Sequence, residues 1–565
     1  MNAATQNKKT RSKTKYIFVV GGVMSSVGKG IATASIGKIL QARGYRVSLV
    51  KCDMYVNIDA GTIRPTEHGE VFVGEDGIEA DQDLGNYERF TDQTSTAAHY
   101  LTTGQVYAEV IRRERNLEYG GEDVEVVPDI PNEIIRRIEA VAKKDNSDIV
   151  VTEIGGTVGE YQNVLFLEAA RMMKARHKDG VLFVLVSYLP VPGSVGEMKT
   201  KPTQYAARTL NATGIQADFI LCRSEHTIDD RRREKLALFC NIEPEDAIAA
   251  PDVNSIYDVP VNFAKGGLDL KILKKFDLKP KTDSLGEWVA LAHKIKTLKK
   301  TIAVGIVGKY FSTGGTNGEF TLADSYISVI ESIKHAAWAC GLKPKISWLD
   351  AEAYEKDPKK LRELSEYDGI IVPGGFGSRG VEGKLLAVEY VRKNNIPYLG
   401  LCYGLQMAVI EYARNVCRLK GANTTEVDQK TPHPVIDILP EQKKNIAEKN
   451  YGATMRLGAY PAQLKKGTIA RAAYGGAGAI SERHRHRYEV NPEYIERLEK
   501  AGFVFSGVSP DRRLMEIGEL PKTAHPFLLG TQFHPEFKSR PLSPHPLFLA
   551  FIKAAKRYAQ SGKRV

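Results

Sequence analysis

Six cysteines in 565 residues, at 52, 222, 240, 340, 402 and 417, stand apart with no C-x-x-C pair. That spacing argues against a thiolate zinc site and a disulfide framework, and it fits a reducing cytosol. Long apolar runs are also missing. Residues 181–186, Val-Leu-Phe-Val-Leu-Val, have the length of a buried strand, far below the roughly 18 residues that span a bilayer. No apolar segment lies near residue 1, so neither a secretory leader nor a membrane partner is expected, and a cytoplasmic location follows. No repeat of 20–50 residues is visible, which excludes a solenoid. Acidic excess is absent: 79 Lys and Arg face 68 Asp and Glu, a net charge of +11. Part of the surplus sits in Lys8, Lys9, Arg11, Lys13 and Lys15 and in Lys563 and Arg564, which read as solvated ends. No nucleic-acid-binding motif accompanies them, so no nucleic-acid partner is expected. The remaining surplus suits small polyanions such as nucleotides.

With 42% hydrophobic and 26% charged residues, the composition is that of a globular protein, and the length calls for two or more domains. Strand patterns at 16–20, 47–50, 149–153, 181–187 and 219–222 alternate with helical ones such as 31–42. That order predicts a parallel sheet covered on both faces. A lysine-rich stretch, 269–281, and a helical one, 285–299, then interrupt the pattern. A second α/β series starts at 302–307 and includes strands at 369–372, 397–401 and 527–533. The fold class is therefore α/β with two Rossmann-like parallel-sheet domains. The expected limits are a basic tail (1–14), a first domain (15–267), a linker (268–300), a second domain (301–558) and a C-terminal tail (559–565). The Gly/Thr-rich residues 312–317 read as a loop.

In the second half, Cys402 follows the apolar run 396–399 and precedes the helical pattern 405–410, with Gly400 and Gly404 on either side. Strand, sharp turn and helix in that order expose a nucleophile above a sheet. The helix N-terminus favours the thiolate. Far downstream, Phe533-His534-Pro535-Glu536 supplies an imidazole to move protons and a carboxylate to orient it. A buried structural cysteine and a loop histidine are the alternative, and the combined pattern argues against them.

In the first half, Gly21-Gly22-Val23-Met24-Ser25-Ser26-Val27-Gly28-Lys29-Gly30 lies between a strand and a helix. Backbone N–H groups of such a turn, the helix N-terminus and a lysine suit phosphate. The match to G-x-x-x-x-G-K-[ST] is imperfect, one residue too long and with Gly30 in place of the hydroxyl residue, so a generic glycine turn stays open. Magnesium then needs carboxylates, and Asp83 and Glu153 are the candidates, Glu153 because it ends a strand beside glycines. Lys199-Thr200-Lys201-Pro202-Thr203-Gln204 offers a second cationic clamp, with a solvated basic loop as the other reading.

Taken with residues 68–73, 83–90, 153–159 and 483–490, these stretches make the chain similar to the CTP synthases, which aminate UTP with glutamine and ATP. The resemblance covers about residues 15–555. It implies an amidoligase first half and a class I glutamine amidotransferase second half, with C–N bond formation through 4-phosphorylated UTP. It puts Ser25, Ser26, Gly28, Lys29, Gly30 and Asp83 on ATP, and Asp83 and Glu153 on Mg2+. Ser25, Lys199, Thr200, Lys201, Gln204, Lys235 and Gln162 fall to UTP or CTP. Cys402, His534 and Glu536 become the glutaminase triad. Gly375 and Tyr403 supply the oxyanion hole, and Gln406, Glu426 and Arg487 hold glutamine. Arg456 lies in the lid that responds to the activator GTP. The family also implies CTP inhibition, an internal ammonia passage, a homotetramer and, in many members, filaments. The chain departs from the family at Met54, Ala60 and 160–162. Gln162 replaces a glutamate that helps recognise the product, so altered CTP inhibition is expected. A cobyrinic acid type amidotransferase and an inactive filament-forming scaffold are the competing readings. Residues 199–204 and 83–90 argue against the first, and the intact triad and Lys29 against the second.

Overall fold

A computed structural model describes residues 14–64, 69–194, 196–308, 323–438, 442 and 452–562. The expectations placed on residues 1–13, on His68 and on the loop at 312–320 lie outside the described residues. The chain divides into two compact units, residues 1–58 with 98–292, and residues 59–97 with 293–565. No helix among the described residues is long and apolar enough to cross a membrane.

The first unit is built on a seven-stranded sheet. Its strands are β1 (Lys15–Gly22), β2 (Val47–Asp53), β3 (Tyr100–Thr102), β4 (Ile149–Ile154), β5 (Val181–Tyr188), β6 (Phe219–Ser224) and β7 (Ala247–Pro251), in the spatial order β3-β2-β4-β1-β5-β6-β7. Every pairing is parallel. Such strands are covered on both faces, which is why they read as unbroken apolar runs, and nearly every residue of β1, β4 and β5 is buried. The strand order reverses at β1, so the crevice at the carboxyl ends of β1 and β4 is where a ligand is expected. Residues 268–300, expected as a linker, carry helices Leu268–Lys275 and Gly286–Thr297. Those as far as Ala292 belong to this unit. Leu268, Ile272 and Trp288 are buried, and the Trp288 indole N–H donates to the Tyr257 carbonyl at 2.8 Å.

The second unit has a nine-stranded sheet. Its strands are β8 (Thr301–Gly308), β9 (Lys343–Asp350), β10 (Gly369–Val372), β11 (Tyr398–Leu401), β12 (Arg456–Leu464), β13 (Ala479–His486), β14 (Val504–Val508), β15 (Met515–Glu519) and β16 (Leu528–Thr531). The order β9-β8-β10-β11-β16 is parallel, and β15-β14-β12-β13 continues it antiparallel. Two apolar clusters cover it, one around Val372, Tyr398 and Leu405, the other around Ile306, Leu399 and Phe551.

Residues 59–97, expected in the first domain, pack within this second unit. Charge pairing is the reason. Side chains alternate across a strand, so Arg483 and Arg485 of β13 point one way and His484 and His486 the other. Arg485 pairs with Glu79 at 2.8 Å, and Arg483 pairs with Glu75 at 2.9 Å and with the buried Glu88 at 3.1 Å. Arg540 also pairs with Glu88. Phe72 packs edge-on against Phe537, with ring centres 5.1 Å apart. Gly77 and Gly458 meet backbone to backbone: a Cβ on Gly458 would lie 2.7 Å from the Gly77 nitrogen.

Candidate active site

Cys402 stands between β11 and helix Tyr403–Asn415 with φ +49° and ψ −97°, a backbone that L-residues rarely adopt. Its N–H donates to the Thr531 carbonyl of β16 at 2.6 Å. The flanking glycines are needed for space. A Cβ on Gly404 would lie 2.2 Å from the Val372 carbonyl oxygen, and one on Gly400 would lie 2.6 Å from the Gly404 carbonyl carbon. The strand, turn and helix read from residues 396–410 are therefore present, and the turn is the strained one that lifts a side chain off the sheet.

His534 follows β16 directly. Its Nδ1 lies 2.7 Å from a Glu536 carboxylate oxygen, and its ring stacks on Phe537 at 5.2 Å. Burial opposes a charge on this imidazole. The charges of Glu536 and Cys402 outweigh it and raise its pKa to about 10. A proton is thus held on His534 at neutral pH, facing the sulfur. Cys402, His534, Glu536, Gly375 and Arg487 line one cavity of about 320 Å3. Gly374 lets His534 in, since a Cβ there would lie 2.8 Å from the ring. Tyr403 donates its hydroxyl to the Gly377 carbonyl at 3.0 Å, and the Gly377 N–H donates to Glu426 at 2.6 Å. Arg487 donates to Gln442 at 2.5 Å and to Thr454 at 2.9 Å. Gln406 donates to the Tyr488 carbonyl at 3.0 Å.

Glu70, in the same cavity, carried no expectation from the sequence. Burial raises its carboxyl to about 8, against the pull of Ser328 and Arg89. Arg456 heads β12 and is held by Glu516 at 2.7 Å and Glu489 at 3.2 Å. Burial pushes Glu489 well above the carboxylate range, whereas His484 and Arg456 hold Glu516 below it despite its burial. Arg456 therefore sits between two carboxyl groups whose proton affinities are pushed apart.

In the first unit, Gly28 (φ +92°) precedes helix Lys29–Ala42, and Ser26 also has positive φ. Lys29 Nζ donates to the Gly156 carbonyl at 2.8 Å, just past β4. Gly21 clears the way for it, because a Cβ there would lie 2.8 Å from that nitrogen. Ser25 and Ser26 are exposed in the turn, and Gly30 is buried in the first turn of the helix. Glu153, near the carboxyl end of β4, is buried and paired with Lys51 at 2.9 Å, and Lys51 reaches Asp53 at 3.8 Å. No pattern in the sequence marks Lys51, which is simply one more residue of β2. Beside Gly28, a cavity of about 210 Å3 is lined by Ile31, Arg223, Asp252, Val253 and Phe263, apolar walls with an ion pair of 2.7 Å at the rim. That is a small, mostly apolar slot next to the glycine turn.

Thr200 precedes helix Lys201–Ala212, which packs on β1 so closely that a Cβ on Gly22 would lie 2.6 Å from the Ala206 Cβ. Lys199 pairs with Glu197 at 2.6 Å, Gln204 donates to Thr200 at 3.1 Å, and Lys201 lies over the Phe239 ring. Lys235 and Gln162 are exposed. Arg232, also missed, donates to the Met198 carbonyl at 3.0 Å and fixes the 197–199 segment. Asp83 starts helix Asp83–Thr91 in the second unit, where its N–H donates to Asp81 and its carboxylate accepts from Asn86.

A family model described as the CTP synthase N-terminus matches residues 15–278, and one described as class-I glutamine amidotransferase matches residues 321–554. The chain is 50% identical over 549 residues to a CTP synthase of Pyrococcus abyssi, covering 97% of this chain and 99% of that one. It is 49% identical over 546 residues to a CTP synthase of Thermococcus kodakarensis, covering 96% and 99%. A solved glutaminase domain of Trypanosoma brucei CTPS with bound acivicin is 38% identical, covers 46% of this chain and 94% of that one, and has a TM-score of 0.41. With both halves matched and relatives about half identical along nearly the whole length, the chain belongs to the CTP synthase family, glutamine-dependent amidoligases that form C–N bonds.

Proposed function

We propose that this protein makes CTP from UTP, ATP and glutamine. The observation that carries the reading is the strained Cys402 turn facing a His534 whose other nitrogen is held by Glu536. The Cys402 sulfur attacks the glutamine carboxamide, and His534 gives its proton to the departing ammonia. Backbone N–H groups of Gly375 and Tyr403 receive the oxyanion, each worth roughly 3–4 kcal/mol in related chemistry. Water, activated by His534, then releases glutamate. Gln406, Glu426 and Arg487 hold the amino-acid end of the substrate. In the first unit, Lys29 and the glycine turn bind the ATP phosphates while O4 of UTP is phosphorylated, which makes phosphate the leaving group that ammonia displaces. Thr200, Lys201 and Gln204, with Lys199 and Lys235, hold UTP.

Glu153 would hold Mg2+ in the first unit, since a carboxylate oxygen near the carboxyl end of β4 suits this ion. Asp83, the other carboxylate expected from the sequence, belongs to the second unit. When bound, the ion neutralises phosphate charge. GTP activation through the Arg456 region, a homotetramer and a cytoplasmic site of action complete the reading. Six free cysteines agree with the last of these.

The test is UTP-dependent ADP release and CTP formation with glutamine, ATP and Mg2+, with and without GTP. Cys402→Ala is expected to abolish synthesis from glutamine and to leave synthesis from added ammonia. Loss of both activities would contradict the division of labour.

A further inference from the structure

Gln532, between β16 and His534, is fully buried and was not among the residues expected at the site. Its Nε2 lies 3.6 Å from the Cys402 sulfur and donates to it. Its Oε1 accepts from Gln406 Nε2 at 3.3 Å, and that same nitrogen donates to the Tyr488 carbonyl at 3.0 Å. The polarity of this chain is fixed from one end. The Tyr488 carbonyl can only accept, so Gln406 must turn its nitrogen there. That nitrogen then meets the Gln532 oxygen, and Gln532 is left presenting an N–H to the sulfur. At the other end, Gln406 Oε1 is buried with no hydrogen-bond partner among the described residues. A buried acceptor in that state is costly and is satisfied by a donor that arrives later. The ammonium group of an amino acid is such a donor.

We propose that Gln532 is a further catalytic residue of the glutaminase site. Its amide holds the Cys402 sulfur as the anion, and Gln406 links this hold to the amino end of the substrate. The inference rests on Cys402 being the nucleophile. An N–H donated to an anion is stronger than one donated to a neutral group, so losing it disfavours the thiolate relative to the thiol. When the substrate ammonium occupies Gln406 Oε1, the Gln406 amide can no longer turn over, and the donor on sulfur is locked in place for the attack.

The test reads the sulfur directly, without turnover. Full-length protein is treated with limiting iodoacetamide from pH 6 to 10, and the peptide containing Cys402 is followed by mass spectrometry. Gln532→Met keeps the volume and removes the donor. It is expected to slow alkylation about tenfold at pH 7 and to converge on the wild type near pH 10. Gln532→Glu, which places a carboxylate on the sulfur, is expected to slow it further. Gln406→Met frees the Gln532 amide to turn over and is expected to move the profile the same way by a smaller factor. It also carries the test if Gln532→Met does not melt like the wild type. Glutamate, a non-reacting amino acid with the same ammonium group, is expected to sharpen the contrast between wild type and Gln406→Met. Alkylation profiles of Gln532→Met and Gln406→Met that superimpose on the wild type would overturn the proposal alone. A wild-type Cys402 that does not alkylate would overturn it together with the glutaminase reading.

Discussion

At neutral pH His534 is an imidazolium, because the charges of Glu536 and Cys402 outweigh the burial that opposes it. Its folded-state pKa of about 10 lies above the ordinary value of 6.5, so it stabilises the fold in full below pH 6.5, and this contribution is lost as pH rises through about 10. The proton needed by departing ammonia disappears in the same window. Glutamine-dependent kcat/KM is therefore expected to fall along an alkaline limb near pH 10. Glu536→Gln removes the main supporting charge, so the limb should move to lower pH and kcat should drop roughly 100-fold or more. A pH–rate profile of both proteins checks this. A limb that stays in place would mean that another group sets it. Gln162 makes a second prediction at this scale. It is exposed and neutral at a position where the family resemblance implies an acid, so Gln162→Glu is expected to change the CTP concentration that halves activity, and a CTP titration of the two proteins measures it.

At the scale of elements, β13 serves two sides at once. Arg483 and Arg485 bind the acids of 59–97, while His484 faces Glu516 and His486 faces Glu489. The buried Arg483–Glu88 pair is one that stabilises only while both partners remain. Arg483→Ala leaves Glu88 with Arg540 and the Ser95 N–H and should cost about 3 kcal/mol. Arg483→Met with Glu88→Gln should cost clearly less, which denaturant unfolding of the two variants would show. The central parallel strands of both sheets were legible because such strands are short apolar runs, and their observed limits lie within about three residues of the expected ones, whereas β3, β7, β9 and the antiparallel β12, β13, β14 and β15 were not read. The Cys402 turn was legible for a related reason, since glycines two residues away on each side can only serve space or strain. The docking of 59–97 was not legible. Glu75, Glu79 and Glu88 carry no mark of burial in the sequence, because the arginines that neutralise them lie some 400 positions away. Gln532 was missed because an uncharged amide beside a histidine carries no pattern of its own. Lys51 was hidden inside an apolar strand.

For the whole molecule, the phosphate turn with Lys29 lies in one unit and the thiol site in the other. Damage to each should therefore be separable. Lys29→Ala is expected to stop CTP formation from either nitrogen source while glutamine is still hydrolysed to glutamate. Coupled assays of glutamate, ADP and CTP on this variant and on Cys402→Ala would reveal any cross-effect. A variant that lost glutamate production with Lys29 would show that the two chemistries depend on each other.

The packing of 59–97 also determines how this protein can be dissected. A fragment beginning at residue 301 follows the break in the sequence pattern, but it discards the carboxylates that Arg483, Arg485 and Lys538 require and leaves Phe537 without Phe72. Such a fragment should melt roughly 5 °C or more below the same unit in the intact chain. A synthetic peptide covering 59–97, added in trans, should bind it and raise that temperature. The glutaminase unit is thus a two-piece object threaded through the chain, and complementation by the missing piece is the assay that would reveal it.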